Sequence, residues 1–155
     1  MIRVACAADA KRASTLLVRS ITQLCHADHQ GDVAEIDEWT ANKTPANLRT
    51  WIDNPDLIFL VSETLTGLAG LAAGDKTGAV HLNYVDPDHR FTGVSRALLS
   101  MLEAKMAAAG ATNGQLTSTL TAKRFYLSQG WNSLPCDAPD TIHGAKMHKT
   151  LIFQP

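Results

Sequence analysis

The chain lacks the features that mark several large classes of protein. It has only three cysteines, Cys6, Cys25 and Cys136, and no Cys-x-x-Cys pair among its 155 residues. We therefore expect neither a zinc site nor a disulfide framework, and we expect the reduced thiols of a cytoplasmic protein. No apolar run approaches the ~20 residues of a membrane helix. The first ten residues lack the apolar core of a signal peptide, so we expect no membrane partner.

An excess of charge of either sign is also missing. Lys and Arg number 14 and Asp and Glu number 15, which gives a formal net charge of −1. Nucleic-acid-binding domains usually carry a basic excess, so we expect no nucleic-acid partner. Hydrophobic residues make up 45% of the chain and charged residues 19%, which is typical of a soluble globular protein. At this length we expect one domain over residues 1–155.

Hydrophobic residues recur with a helical period in some segments and alternate in others. The predicted helices lie at residues 10–25, 33–39, 45–53, 93–109 and 119–129. The predicted strands lie at residues 2–6, 57–63, 67–74, 79–85, 114–118, 131–136 and 145–153. The three strands between 57 and 85 predict an antiparallel meander, whereas the helical connection from 79–85 to 114–118 should make those two strands parallel. This order predicts an α/β fold with a mixed sheet and helices on both faces.

Polar residues mark where several of these helices begin. Asp9, Asp32 and Thr44 each precede a helical segment and are suited to cap its free N–H groups. Thr119 or Ser118 is the expected cap of the helix at 119–129.

A cation, a glycine and a small hydroxyl stand where the helix at 93–109 begins. The strand ending at Val85 is followed by a proline turn and then by Arg90-Phe-Thr-Gly93-Val-Ser95. Ligands of open α/β sheets lie beyond the carboxyl ends of strands, and a helix N-terminus there offers N–H groups that favour phosphate. On spacing alone, the alternative is that Gly93 is an ordinary glycine at the start of a helix, with no role in binding phosphate. The pattern fits neither Walker A nor the dinucleotide fingerprint, which disfavours a nucleotide-binding oxidoreductase.

Two spaced motifs lie between residues 85 and 131. They read Val85-Asp-Pro with Arg90-Phe-Thr-Gly93-Val-Ser95, and Thr119-Leu-Thr-Ala122-Lys-Arg-Phe-Tyr126-Leu-Ser-Gln-Gly130-Trp. In this order and separation the chain resembles the GNAT superfamily of acyl-CoA-dependent N-acyltransferases. The resemblance covers nearly the whole chain, from the opening strand and helix through Leu-Ala-Gly at 68–70 to the closing strand around 147–151.

This resemblance implies a mostly antiparallel mixed sheet with helices on both faces and a splayed pair of parallel strands. It implies acetyl-CoA as cosubstrate, no metal, and direct transfer of acetyl to a primary amine in one ternary complex. The diphosphate would lie on the N–H groups of residues 91–96. The cofactor residues implied are Tyr84, Val85, Arg90, Phe91, Thr92, Gly93, Val94, Ser95, Arg96, Thr119 and Lys123. Arg124 is an alternative to Lys123, and a solvated helix face is the alternative for both.

Three positions depart from the family pattern. Ser95 replaces the usual Gly or Ala, Thr119 replaces Asn, and Ala79 stands where some members carry a carboxylate. A CoA-binding module that lacks transfer activity and acts through a partner is therefore a second hypothesis.

The same resemblance suggests two catalytic side chains. Tyr126 matches the family's tyrosine acid, which protonates the departing thiolate, although a buried structural tyrosine is the alternative. His81 matches a histidine of the arylalkylamine-acetylating branch, and histidine is a side chain suited to act as a base near neutral pH. We expect strand alternation to place His81 on the same face as Asn83 and Val85. Packing alone, with water relaying the proton, is the alternative for His81.

Residues 26–38 carry five acidic side chains and no Lys or Arg. The family frames its acceptor site with the first two helices and their loop, so a cationic amine is the expected acceptor there. Asp28, Asp32 and Trp39 are the candidate acceptor contacts, with helix capping and core packing as the alternatives. His26, Asp28 and His29 could suggest a metal, but the family chemistry needs none. A homodimer formed through the closing strands is common in the family.

Overall fold

The computed structural model describes residues 1–134 and 144–155. Its helices are α1 (Ala10–Leu24), α2 (His26–His29), α3 (Val33–Thr40), α4 (Pro45–Asp53), α5 (Val94–Ala108) and α6 (Lys123–Ser128). Its strands are β1 (Ile2–Val4), β2 (Leu57–Thr64), β3 (Gly67–Asp75), β4 (Val80–Val85), β5 (Asn113–Ser118), β6 (Asn132–Ser133) and β7 (Ala145–Thr150). Short 3-10 turns occupy Ala7–Asp9 and Pro87–His89. The end of the strand predicted at 131–136, with Cys136, lies outside the described residues.

The strands form two antiparallel sheets. The first has the order β1-β2-β3-β4 and contains the predicted meander, and the second has the order β5-β7-β6. A single parallel bridge between Ala79 and Gln115 joins the start of β4 to β5. The predicted α/β fold, mixed and mostly antiparallel, is therefore confirmed. The splaying of these two strands beyond the bridge stays a prediction.

Helices cover both faces of the first sheet. α1 and α4 pack on one face, where Leu17 and Leu48 meet Phe59 and Leu71 in a buried cluster. α5 packs on the other face through Leu98, Leu102 and Met106. α6 lies on the second sheet, against Leu116 and Met147. In the described parts of the chain no helix is long and apolar enough to cross a bilayer.

Gly70 of β3 is a point of close approach between α5 and the sheet. A Cβ at this position would lie 2.7 Å from a methyl of Val94 and 2.9 Å from a methyl of Leu98. Any larger residue would force the side chains of Val94 and Leu98, or the first turns of α5, to move, because interiors this densely packed leave no free volume.

The predicted caps of α3 and α4, Asp32 and Thr44, are confirmed. The Asp32 carboxylate accepts a hydrogen bond from the Glu35 N–H at 3.1 Å, and the Thr44 hydroxyl accepts one from the Asn47 N–H at 3.2 Å. The predicted start of the helix at 119–129 is wrong, because α6 begins at Lys123. Thr119 accepts instead from the Ala122 N–H at 3.1 Å, within the turn that precedes α6.

Asp9 precedes α1 as predicted, but its side chain does not cap that helix. Both of its oxygens accept from Arg3, at 2.8 and 3.0 Å, and Arg12 approaches to 2.6 Å. Glu63 of β2 accepts from the same two arginines. The hydrogen bonds from Arg3 hold the pKa of the buried Asp9 well below its usual range. This cluster ties β1, α1 and β2 together through charge rather than through a cap.

We predict that Asp9→Asn lowers the free energy of unfolding by about 2–4 kcal/mol at pH 7, since it removes the buried carboxylate that both arginines share and leaves them only the more exposed Glu63. The folded-state pKa of Asp9 lies below its unfolded value of about 3.9. The stability that Asp9 contributes is therefore present above its unfolded-state pKa and is lost as the pH falls toward its folded-state pKa. Urea unfolding between about pH 5 and pH 2 should show a shallower loss of stability in the variant than in the parent.

Asp53→Asn, at an exposed carboxylate 3.7 Å from Arg49, is the matched control. It should change stability by less than about 0.5 kcal/mol. Equal effects of the two substitutions would contradict the role assigned to Asp9.

Candidate active site

A large cleft opens beyond the carboxyl end of β4, and we call it the main cleft. Its volume is about 780 Å³, and it is bounded by the C-terminal end of α1, residues 83–85, residues 89–96 and residues 119–129. The predicted cofactor residues that line it are Tyr84, Val85, Arg90, Phe91, Gly93, Val94, Ser95, Arg96 and Thr119. Thr92 and Lys123 are not among the lining residues, whereas Arg124 is.

The loop that enters α5 has an unusual backbone. Gly93 is left-handed, with φ 85° and ψ 1°, and Val94 starts the helix directly after it. A left-handed residue followed by a helical one turns successive N–H groups toward one side, which forms a concave anion-binding nest. A Cβ at Gly93 would meet nothing within 4 Å. The glycine is therefore required by the backbone angle, and the space in front of it is open.

Phe91 also has a positive φ, 62°, which is rare for a bulky residue. Its ring is 90% exposed, and the Arg90 guanidinium lies 4.6 Å from the ring centroid. Such strain of about 1–3 kcal/mol is typical of functional loops rather than of packing elements.

Ion pairs from α1 anchor the connection between β4 and α5. Asp86, nearly buried, accepts from Arg19 at 2.7 Å and from the Asp88 N–H at 3.0 Å. Arg19 also reaches Asp88 at 3.1 Å. The turn that delivers the chain to the nest is thus tied to the neighbouring helix.

Tyr126 lies in the main cleft on α6 and is only 6% exposed. Its ring packs edge-on against Trp131 and Phe125. Burial raises the pKa of Tyr126 to about 12, although the neighbouring Asn83 side chain acts in the opposite direction. The phenol is therefore protonated at neutral pH and can donate. The Asn83 Oδ1 atom is buried and has no hydrogen-bond partner among residues 1–134 and 144–155.

His81 lies where β4 departs from regular pairing. Ala73 pairs with Leu82 but Gly74 pairs with Val80, so His81 is an extra residue in the strand. This bulge interrupts the alternation that we expected to align His81 with Asn83 and Val85. The side chain is 49% exposed, yet it lines a small slot of about 50 Å³ that Tyr126 also lines.

The His81 ring is oriented by the turn between β3 and β4. Its Nε2 lies 2.8 Å from Asp75 Oδ2. Burial alone would raise the pKa of Asp75, but hydrogen bonds from Thr77, His81 and the backbone lower it to about 2. Because an ionised carboxylate only accepts, Nε2 carries the proton and Nδ1 of the neutral ring is left as the acceptor.

A second cavity of about 440 Å³ lies beside the main cleft, and we call it the acidic cavity. It is lined by Asp28, His29, Glu35, Glu38, Trp39, Tyr84, Thr117, Thr119 and Gly144. Tyr84 and Thr119 line both cavities, so the two are adjacent. Of the predicted acceptor residues, Asp28 and Trp39 are brought together here. Asp32 is not among the lining residues and caps α3 instead.

Glu35 and Glu38 were not predicted individually, although they belong to the acidic run at 26–38. They stand three residues apart on α3, which places both on one side of the helix. Helical spacing within an acidic run was the signal that could have identified them.

A metal has no prepared site among residues 1–134 and 144–155, since no group of three or more His, Cys, Asp or Glu is arranged to hold one. His29 illustrates why the His26, Asp28 and His29 pattern does not form a ligand set. The His29 Nε2 lies 2.8 Å from the Ile21 carbonyl oxygen, and its Nδ1 accepts from the Gly31 N–H at 3.0 Å. Both ring nitrogens are therefore used in holding α2 to its neighbours.

Comparison with solved structures first defines the class of fold. A GCN5-related N-acetyltransferase from Rhodopseudomonas palustris superimposes with a TM-score of 0.84 at 20% identity, over 97% of this chain and 95% of that one. The PaiA N-acetyltransferase of Thermoplasma acidophilum, solved with coenzyme A, gives 0.77 at 18% identity over 97% and 98%. The aminoglycoside 6'-N-acetyltransferase of Enterococcus faecium gives 0.63 at 16% identity over 100% and 99%.

The sequence then gives the family. The family model of the acetyltransferase (GNAT) domain matches residues 13–150, so the chain belongs to the GNAT acetyltransferases. This confirms the family that the two motifs suggested. No protein with a curated description matches the chain in sequence.

Proposed function

We propose that the protein is an N-acetyltransferase that moves acetyl from acetyl-CoA to a primary amine in a ternary complex. The observation that carries the proposal is the nest at Gly93, which opens onto the main cleft in a GNAT acetyltransferase. The N–H groups of residues 91–96 would bind the diphosphate, and Arg90 and Arg96 would add charge for its oxygens. The pantetheine arm would run past Val85 toward Tyr126.

The transfer itself needs three groups. The amine nitrogen attacks the thioester carbonyl, a C–N bond forms, the C–S bond breaks, and the acceptor loses a proton. A backbone N–H near Tyr84 or Val85 would stabilise the oxyanion. Tyr126 would give its proton to the departing thiolate, which its buried, protonated phenol supports.

The free amine has a pKa of about 10, so a base must remove its proton. The orientation of His81 by Asp75 supports a role for Nδ1 as that base. A water in the slot shared with Tyr126 is the alternative route.

Direct transfer is favoured over an acetyl-enzyme. Cys25 is the cysteine that lines the main cleft among the described residues, and burial raises the pKa of its thiol to about 12. A thiol that stays protonated at neutral pH is a poor nucleophile.

The acidic cavity supports a cationic acceptor. Glu35 and Glu38 line it without a lysine or arginine among its lining residues. Such a local field concentrates positively charged amines beside the main cleft.

For the cofactor site, Gly93→Ala should raise the Kd of CoA roughly tenfold or more in calorimetry, because a Cβ strains the left-handed backbone that forms the nest. It should also cost about 1 kcal/mol of stability at this positive φ. Gly110→Ala is the matched control, since Gly110 has φ 105° and an equally open Cβ position just past the other end of α5. The control should lose similar stability and keep its affinity for CoA. Absence of heat with the parent protein would refute the proposed function.

For the acid, Tyr126→Phe should lower kcat by roughly 10²–10³-fold while leaving the Kd of CoA within about twofold. Thiol release from acetyl-CoA with a panel of amines is the measurement. An unchanged kcat would assign Tyr126 to packing alone. A parent protein that binds CoA but acetylates no amine would favour the CoA-binding module.

For direct transfer, Cys25→Ala should keep kcat/KM within about threefold, because the thiol takes no part in the reaction. Mass spectrometry of the parent incubated with acetyl-CoA alone should find no acetyl group on Cys25. Acetylated Cys25 that is consumed on adding an amine would establish the covalent route instead.

A further inference from the structure

We propose that Asp28 is a positioning residue, whose carboxylate holds residues 119–122 in the form that binds CoA. The inference rests on the proposed function and differs from the expectation that Asp28 contacts the acceptor amine. Its role would be to fix the cofactor side of the site from a helix on the acceptor side.

The geometry of the Asp28 carboxylate supports this role. Oδ1 accepts from the Leu120 N–H at 2.7 Å, and Oδ2 accepts from the Thr121 N–H at 3.2 Å and the Thr121 hydroxyl at 2.5 Å. Three donors from two consecutive residues occupy both oxygens. Hydrogen bonds to an ionised acceptor are stronger than neutral ones.

The segment that Asp28 holds lies between the two cavities. Thr119 lines both of them, and Thr121 and Ala122 line the main cleft. The Ala122 carbonyl accepts from the Tyr126 N–H at 3.1 Å, which closes the first turn of α6. A shift of this segment would therefore move the wall of the CoA cleft and the start of the helix that carries the proposed acid.

The segment has little regular structure of its own to hold it. It follows the end of β5 at Ser118 and precedes α6 at Lys123, and Thr119 supplies a local bond to the Ala122 N–H. The bonds from Asp28 span 92 and 93 residues of sequence, so they fix its place relative to the first sheet and α1.

Residues 28 and 29 are held in place by hydrogen bonds to their neighbours, although α2 has only four residues. The Asp28 N–H donates to the Cys25 carbonyl at 2.9 Å. The next residue, His29, is buried and binds Ile21 and Gly31 through its two ring nitrogens. Asp28 is thus anchored on both sides and can hold a less regular segment.

The test measures CoA affinity by calorimetry, because it needs no knowledge of the acceptor. Asp28→Ala should raise the Kd of CoA roughly 10–30-fold, and Thr121→Val roughly threefold. Thr121→Ser, which keeps the hydroxyl, should bind like the parent. The double variant should be no weaker than Asp28→Ala alone, because both substitutions break the same contact. Asp37→Ala, which removes an exposed carboxylate of α3, should stay within about twofold.

Hydrogen exchange separates positioning from a general loss of stability. In Asp28→Ala the amides of Leu120 and Thr121 should lose protection while those of β3 keep theirs. Should Asp28→Ala fail to fold, the comparison of Thr121→Val with Thr121→Ser tests the same contact.

Three outcomes distinguish a failure of this inference from a failure of the proposed function. If the parent and Asp28→Ala bind CoA equally, the positioning role is overturned while the proposed function stands. An acceptor KM that rises at unchanged CoA affinity would give Asp28 the amine-binding role instead. If the parent binds no CoA, the proposed function and this inference fall together.

Discussion

The site depends on one packing constraint, the close approach of α5 to β3 at Gly70. Only a glycine leaves room there for Val94 and Leu98, the side chains of the first turns of the helix. With those turns pressed onto the sheet, the N–H groups at the start of α5 have a fixed position beyond the end of β4. Gly93 is left-handed directly before the helix, and it lines the main cleft together with Val94 and Ser95. The diphosphate site that we propose would therefore be preformed in the free protein, which would reduce the ordering cost of binding.

Much of the fold could be predicted from sequence because its determinants are local. The meander follows from alternation and turn residues, and the caps at Asp32 and Thr44 need only the next three residues. The failures share a different cause. Asp9 lies at the position of a helix cap, but its carboxylate accepts hydrogen bonds from Arg3 and Arg12 instead. An ion cluster between β1, α1 and β2 leaves no periodic trace in the sequence, so no local rule could find it.

The candidate site shows the same difference between residues in local motifs and residues whose role depends on tertiary contacts. The loop at 90–96 and Tyr126 were predicted because each belongs to a motif with fixed spacing on one element. Asp28 and Asp32 look alike in sequence, yet one caps its own helix while the other binds residues 120 and 121. The face of His81 was predicted from strand alternation, which is interrupted where the register shifts between Ala73 and Gly74. A bulge of one residue can reverse the face of a side chain, and it depends on the pairing of β4 with β3 rather than on the residues around position 81.

A net charge near zero conceals a strong separation of charge in this protein. Arg90 and Arg96 line the main cleft beside the nest, whereas Glu35 and Glu38 line the acidic cavity next to it. In the proposed function the two fields would act on opposite kinds of group, a diphosphate in the main cleft and an ammonium in the acidic cavity. Because Tyr84 and Thr119 are shared walls, these groups would be drawn into adjacent cavities rather than compete for one. The net charge led us to expect no nucleic-acid partner, but it carries no information about local fields, which depend on where the charged side chains lie.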